Sequence, residues 1–392
     1  MAGPALALLL ARQGRRVVVF ERAPQLGPVG AGILLQPTGM AMLARLGLLD
    51  AVKKAGCPVR ALDARTASGR RVWHLRYEDC PEFAEGGVGI HRGALFSLLL
   101  DAAVAAGAEV KVDAEIASVS HRADGTSDVH DTLGNAYGPF SWVAITAGGR
   151  SEIAVPLSPA RAVRRYRWGA WWTCLPNPQG FAPDTLAQWY RCTEELLGVL
   201  PTSPAGPGDE PARASIFMSL RTDRAVQERA GGIAALRTRM QALAPPAAPL
   251  LEGLRDFSQL MMAVYGEIHM ARWSTDRVVW LGDAAHAMSP HLGQGTNLAL
   301  MDAEALANAI GQHARAADAF IAYERERRAH TAFYQFVSRW MMPFFQCSAP
   351  GIGLLRDIGM PMLSAIPTTR RWMVEVLAGV RMPFGRIATG AR

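Results

Sequence analysis

Apolar positions along this 392-residue chain follow two different periods, and the switches between them divide it into elements. The run Pro4 to Gln13 is rich in alanine and leucine and predicts a helix stopped by Gly14. Residues 16–20 read as a short, mostly apolar strand of the kind buried in parallel sheets, with Glu21 at its end. A second helix is expected over 38–46 with Gly47 as its stop, and a third over 93–106 with Gly107. The stretch Gly27 to Gly32 is too glycine-rich for a regular element. Strands are expected at 109–112, on either side of Asp124-Gly125, near Gly134-Asn135, and at 142–146, where Ala147-Gly148-Gly149-Arg150 follows.

From about residue 160 the texture changes. Residues 164–175, 186–200, 214–220 and 259–269 look like antiparallel strands rich in Trp, Tyr and Met, and 227–244 reads as helical. Residues 278–281 return to the short buried-strand pattern and lead into a long helix over 296–311. A charged helix at 323–328 and a Met- and Phe-rich stretch close the chain. Strands alternating with helices predict the α/β class, with a doubly wound, Rossmann-like parallel sheet. The antiparallel insert predicts a second lobe. The expected units are 1–158 and 273–330 for the first domain, 159–272 for the sheet lobe and 331–392 for a C-terminal helical segment. A strand pair near 59–77 is expected to lean toward the lobe. The tail from Phe333 to Leu377 is expected to pack on the first domain, with substrate access or a dimer contact as other roles.

Composition narrows the function classes. The net charge is +7, and lysine occurs only at Lys53, Lys54 and Lys111, so the basic balance is nearly all arginine. No basic run has interleaved aromatics, so nucleic acid is not an expected partner. The five cysteines are widely spaced with no Cys-x-x-Cys pair, which excludes a disulfide framework and a zinc site and suits a reducing cytoplasm. No apolar run is long enough for a membrane span, and the amino end lacks the basic region of a signal peptide.

The dinucleotide fingerprint needs a strand, Gly-x-Gly-x-x-Gly and a helix, with an acidic residue some way on. Here Gly3 stands where the third glycine would be, and the helix, strand and Glu21-Arg22 follow at the expected spacing. The first strand and the first two glycines are not in the chain.

The run Leu281-Gly282-Asp283-Ala284-Ala285-His286, continuing through Pro290-His291-Leu292-Gly293-Gln294-Gly295-Thr296-Asn297, resembles the Gly-Asp motif of single-component FAD-dependent aromatic hydroxylases. That family includes the 4-hydroxybenzoate and salicylate hydroxylases. Gly3 to Glu21 resembles the back half of the family's FAD fingerprint, Gly30 to Leu48 the segment after it, and His91-Arg92-Gly93 its His-Arg pair at a helix start. The resemblance implies an FAD-binding fold lacking its first strand, that is, an N-terminally truncated member.

It also implies that Gly3, Glu21, Arg22, Gly32, Arg92, Gly282, Asp283, Gly293, Gln294, Gly295 and Asn297 hold FAD. Asp283 would accept from ribityl hydroxyls, Glu21 from ribose, and the donors around Gly293-Gly295 would stabilise charge on the flavin ring. The implied activity is hydroxylation of an aromatic or polycyclic small molecule through a flavin hydroperoxide, with NADH or NADPH and O2 as co-substrates. The expected state is a monomer or homodimer. His291, Pro290 and Arg191 are the catalytic candidates, with Arg191 as an anchor for a carboxylate or phenolate; His286 reads as structural. Trp171, Trp172, Gln188, Tyr190, Phe217, Met261 and Tyr265 belong to the lobe that would roof the flavin, and strand alternation lets only half of them face it.

One further departure is Gly148, where the family has an aspartate. Trp171-Trp172-Thr173-Cys174-Leu175-Pro176 is not the Trp-x-Trp-x-Ile-Pro signature of flavin halogenases. The alternatives are a flavin-deficient member acting as a non-catalytic partner and another flavin oxidoreductase on the same fold.

Overall fold

The computed structural model describes residues 1–24, 31–206 and 211–387. The helix Ala2–Arg12 lies between the helices Gly295–Gln312 and Arg92–Ala105. Its alanines let the helix backbones approach, and Ala5 and Leu8 are wholly buried in the largest core. Each such leucine contributes about 2 kcal/mol. The glycine stop holds. Gly14 has a φ of 75°, and Arg15 N–H donates to Leu10 O at 3.1 Å, which closes the helix as a left-handed cap.

The parallel strands form two separate pairs. Val18–Phe20 pairs with Glu109–Lys111, and Val143–Ile145 with Val278–Trp280. Among the described residues these pairs are not joined by a further strand, so the expected doubly wound sheet is present in two parts. The strands Ile116–His121, Ser127–Asp131 and Ala136–Phe140 make a separate antiparallel sheet.

The second lobe is a seven-stranded sheet in the order Met261–Met270, Arg161–Pro176, Arg213–Arg221, Glu195–Ser203, Thr185–Arg191, Ala61–Thr66 and Arg71–Arg76. The last two strands come from the amino-terminal half, and Ala61–Thr66 joins parallel to Thr185–Arg191. One face of this sheet buries Trp171, Ile216, Met218 and Leu197 with the helix Gly232–Leu243. The other face meets the first domain and the tail.

Several expectations change. The single strand at 186–200 is a hairpin, because Cys192 adopts φ 51° and the polar run Arg191 to Glu195 turns the chain. The helix at 227–244 breaks at Gly231-Gly232, where Gly232 is left-handed. The charged helix at 323–328 is one part of a 30-residue helix, Ala316–Phe345. A strand, Gly32–Leu35, begins within the segment taken as irregular, pairs with Gly87–His91, and is joined there by Cys57–Val59. It stands close against the lobe: a Cβ on Gly32 would lie 2.0 Å from Thr202 Cγ2. The expectation for Gly27 to Gly30 lies outside the described residues.

Candidate functional site

The Gly-Asp motif forms a turn between the strand Val278–Trp280 and the short helix Asp283–His286. Gly282 takes φ 57°, and Asp283 is exposed beside the start of helix Gly295–Gln312. The Gly295 Cβ position stands 3.5 Å from Asp283 Oδ1, so the carboxylate lies beside the first turn of that helix. Gly293, at φ 62°, turns the chain into that helix.

Beneath the turn lies a buried charged relay. Asp302 accepts from Gly282 N–H at 3.1 Å and from Arg327 Nε at 2.9 Å, and its other contact is His286 Nε2 at 2.6 Å. Burial alone would push the Asp302 carboxyl up, but His286 and Arg327 overcome it and bring it down to about 2. Arg327 Nη1 stands 3.1 Å from His330 Nδ1, and His330 Nε2 stands 2.8 Å from Gly379 O. A carbonyl only accepts, so Nε2 carries the proton and Nδ1 accepts from the arginine. Burial, with Arg327 adding to it, holds His330 neutral, down to about 3.

Asn297 and Gln294 tie the loop to distant chain. Asn297 Oδ1 accepts from Gln36 N–H at 3.0 Å, and its Nδ2 donates to Gly293 O at 2.9 Å. Gln294 Nε2 donates to Leu377 O at 2.6 Å, which straps the C-terminal helix Pro367–Ala378 against the motif. Gln294 Oε1 and Thr38 Oγ1 are buried without a hydrogen-bond partner among the described residues. Pro290 is exposed at the start of the 3-10 turn Pro290–Leu292. His291 stacks on Phe345 at 5.6 Å, and burial lowers it to about 4. Ser289 Oγ donates to Ser338 O at 3.4 Å, so His291 Nδ1, 3.1 Å away, must be the donor to Ser289; Nε2 is left as an acceptor.

The amino end of helix Ala2–Arg12 comes to the same place. The Met1 amino group is lowered to about 6 by burial and then by Arg92, and Asp283 and Glu21 oppose that shift. The helix start lies against the Gly-Asp turn, since a Cβ on Gly282 would stand 3.7 Å from Ala2 Cβ. Arg92 is exposed at the first position of helix Arg92–Ala105, which His91 caps by accepting from Gly93 N–H at 3.2 Å. Gly3 sits against Thr146, with its Cβ position 2.7 Å from Oγ1. Glu21 accepts from Ala23 N–H at 3.0 Å. Arg22 points outward to Glu115, 4.0 Å away.

The lobe residues divide by alternation. Trp172 stacks on Phe217 at 5.0 Å and donates to Tyr265 Oη at 3.3 Å, and burial pushes the Tyr265 hydroxyl far up. Trp171 faces the opposite side, where it donates to Glu228. Tyr190 packs under Phe345 and donates to Gln188 Oε1 at 2.8 Å, while Met261 is exposed on the edge strand. Arg191 is not brought to the site. It follows Tyr190 on the other face, pairs with Glu195 at 2.8 Å and donates to Ala242 O. Gly148 has φ 81° with open space around its Cβ position, and Arg161 holds the adjoining loop through Gly149 O and Ser151 O.

Sequence reading missed Gln36, Asp302, Arg327, His330 and Arg161. The signal for Asp302 and Arg327 was present, as charged residues among the apolar positions of long helices, but their partner lies in another helix.

The model of an FAD binding domain family matches residues 1–335. The chain belongs to this family. A probable 2-heptyl-3-hydroxy-4(1H)-quinolone synthase, AqdB2, of Rhodococcus erythropolis is 26% identical over 344 residues, covering 84% of this chain and 82% of that one. The 3-hydroxybenzoate 6-hydroxylase 1 of Aquipseudomonas alcaligenes is 26% identical over 379 residues, covering 91% and 90%. The fold also matches the crystal structure of Klebsiella pneumoniae HpxO complexed with FAD and uric acid, with a TM-score of 0.80 and 19% identity over 98% of this chain and 95% of that one. These family relatives are FAD-dependent monooxygenases, and the chain is an oxidoreductase of that class.

The residues present fit FAD. The amino ends of helices Ala2–Arg12 and Gly295–Gln312 would offer it backbone donors, Arg92 a cation, and Asp283 and Glu21 acceptors for hydroxyls. No described helix is long and apolar enough to cross a membrane.

Proposed function

We propose that the protein hydroxylates an aromatic or polycyclic small molecule in the cytoplasm, using FAD, NADH or NADPH, and O2. The observation that carries the reading is the packing of the Gly282-Asp283 turn against the starts of two helices: a Cβ on Gly282 would lie 3.7 Å from Ala2 Cβ and 3.2 Å from Ala299 Cβ, and one on Gly295 would lie 3.5 Å from Asp283 Oδ1. Bound FAD would supply hydride acceptance and oxygen activation. The chain's own residues bind and orient. The amino end of Gly295–Gln312 favours negative charge on a ring docked against Gly293-Gly295. Asp283 accepts from hydroxyls, and Arg92 offsets phosphate charge. Trp172, Phe217 and Tyr265 form an apolar wall that excludes water. His291, neutral at pH 7, presents Nε2 as a hydrogen-bond acceptor for a phenol hydroxyl. Pro290 fixes the turn that carries it.

The test is reconstitution with FAD, followed by absorption spectroscopy. A bound-flavin spectrum is expected, and NAD(P)H oxidation should rise with one or more members of a panel of phenols, anthranilates and quinolones. Protein that stays colourless after incubation with FAD would sink the proposal.

A further inference from the structure

We propose that the inner face of the seven-stranded sheet selects an uncharged aromatic that carries a carbonyl oxygen as well as a hydroxyl, in preference to an aromatic carboxylate, and that Gln188 makes the selection. The proposal rests on the hydroxylase reading above and names the substrate class of that same site.

Register aligns the recognising groups. Trp172, Phe217, Gly198, Gln188, Ala64 and Trp73 stand opposite one another on neighbouring strands. Residues of one such row point to the same face of a sheet. This face meets the candidate site on both sides. One row away, Ser215 accepts from Gly32 N–H. One row away in the other direction, Tyr190 packs on Phe345 at 5.5 Å, and His291 stacks on that same ring. Trp172, Phe217 and Gln188 are half-buried, whereas their chain neighbours Trp171, Met218 and Trp189, on the opposite face, are buried. The inner face is thus open to a cleft.

Gly198 sets the depth of that cleft. A Cβ there would lie 1.9 Å from Phe217 Cζ, so the Phe217 ring lies across the glycine instead of standing up from the sheet. Trp172 stacks on it with centroids 5.0 Å apart and 30° between the planes. The two rings make a flat shelf for a planar ligand. Gln188 stands at the end of the shelf. Its Oε1 accepts from the Tyr190 hydroxyl at 2.8 Å, and its Nε2 has no partner among the described residues. The amide is therefore fixed with its donor unused. A donor at Gln188 and an acceptor at His291 suit a ligand with an acceptor oxygen and an O–H.

Charge excludes the carboxylate. An ion entering this face loses water and gains no counter-charge. The row holds no charged side chain, and neither do Cys174, Ser215 and Leu200 on one side or Ala170, Leu196 and Tyr190 on the other. Arg213 and Arg221 are each four residues from Phe217, roughly 13 Å along the strand. Arg213 is turned to Cys174 O at 2.7 Å, and Arg221 to Asp223 at 2.6 Å. Arg356, 4.4 Å from the Tyr190 ring, is matched by Asp357 at 2.7 Å.

The test is calorimetric titration of the FAD-loaded protein with matched amide–acid pairs of one and two rings: 3-hydroxybenzamide against 3-hydroxybenzoate, and 3-hydroxy-2-naphthamide against 3-hydroxy-2-naphthoate. Each amide should bind at least about tenfold more tightly than its acid. Gln188→Leu should weaken the amides roughly tenfold. Gln188→Lys should turn the preference toward the acids, a reversal that a merely structural side chain would not give. Gly198→Ala, which lifts Phe217 into the cleft, should weaken both members of each pair while flavin absorbance is kept. That absorbance is read before each titration. A colourless chain sinks the hydroxylase reading, and the same titrations into that chain still decide the sheet face. The proposal is overturned by acids that bind as tightly as their amides, by failure of every ligand to bind, by a Gln188→Leu variant that holds the amides as the wild type does, or by a Gln188→Lys variant that keeps the wild-type preference.

Discussion

The two ends of the candidate FAD site are built differently. At the Gly282–Asn297 end, the loop rests on Asp302, Arg327 and His330, all wholly or almost wholly buried, and it is strapped from outside by Leu377 and Gly379. At the other end, around the start of helix Ala2–Arg12, the charged side chains Arg92 and Arg22 are exposed and Glu21 is half-buried. The first end is preorganised by groups that solvent cannot screen. The second relies on backbone donors and on surface charges that salt weakens. A ring that must be held at a fixed angle needs the first kind of support, whereas a phosphate needs only donors and charge.

Substitutions test this contrast, and the largest effect belongs to the relay. Asp302→Ala leaves Arg327 buried without its counter-charge and His286 without its hydrogen-bond partner, and should destabilise the fold by about 3–5 kcal/mol in urea unfolding. A loss below about 1 kcal/mol would show that the relay does not support the loop. Next is Asp283→Ala. Its carboxylate is exposed and makes no contact within the relay, so the unfolding midpoint should hold while FAD affinity falls roughly 10- to 100-fold by fluorescence titration. Equal loss of stability and affinity would erase the distinction between support and ligand contact.

Acid should weaken the supported end. His330 and His291 are lowered below their unfolded value near 6.5, to about 3 and about 4, so the unfolded chain takes up protons before the folded one does. Their contribution is complete above pH 6.5 and is lost as pH falls toward 4. The slope is at most about 1.4 kcal/mol per pH unit per histidine. Asp302 adds a further loss as pH falls from about 4 toward 2. Unfolding free energies at pH 7.5, 6.5 and 5.5 measure the histidine part, and His291→Gln should flatten it. Last, Arg191→Ala should leave FAD affinity unchanged, since the side chain lies on the far face with Glu195 and Ala242. A drop in affinity would place that strand face at the site after all.

Much of this was readable before folding. The helix at the amino end with its Gly14 stop, the short parallel strands, and the motif from Gly282 to Asn297 are local patterns, so periodicity and glycine placement expose them. The strand Gly32–Leu35 escaped because its support comes from Ser215, 183 residues away, which accepts from Gly32 N–H at 2.5 Å. The hairpin at Cys192 escaped because one left-handed residue interrupts an otherwise continuous strand pattern. Alternation announced that half the lobe residues would face the site. It could not say which half, and so Arg191 was included and Trp171 was not separated from Trp172.

By itself, then, the sequence determined the α/β class, the position of the Gly-Asp turn and the chemistry of the groups near it. These depend on contacts between residues a few positions apart, whose geometry the helix and strand periods dictate. Tertiary structure decided which charges are buried together and which apolar residues are left outside. Asp302 and His330 become a relay only when the helices Gly295–Gln312 and Ala316–Phe345 pack. Helix Ile352–Ala365 turns leucines to solvent while Arg356 is buried against the Tyr190 ring. Local patterns mark which segments are apolar, but which buried groups meet is a property of the assembled chain.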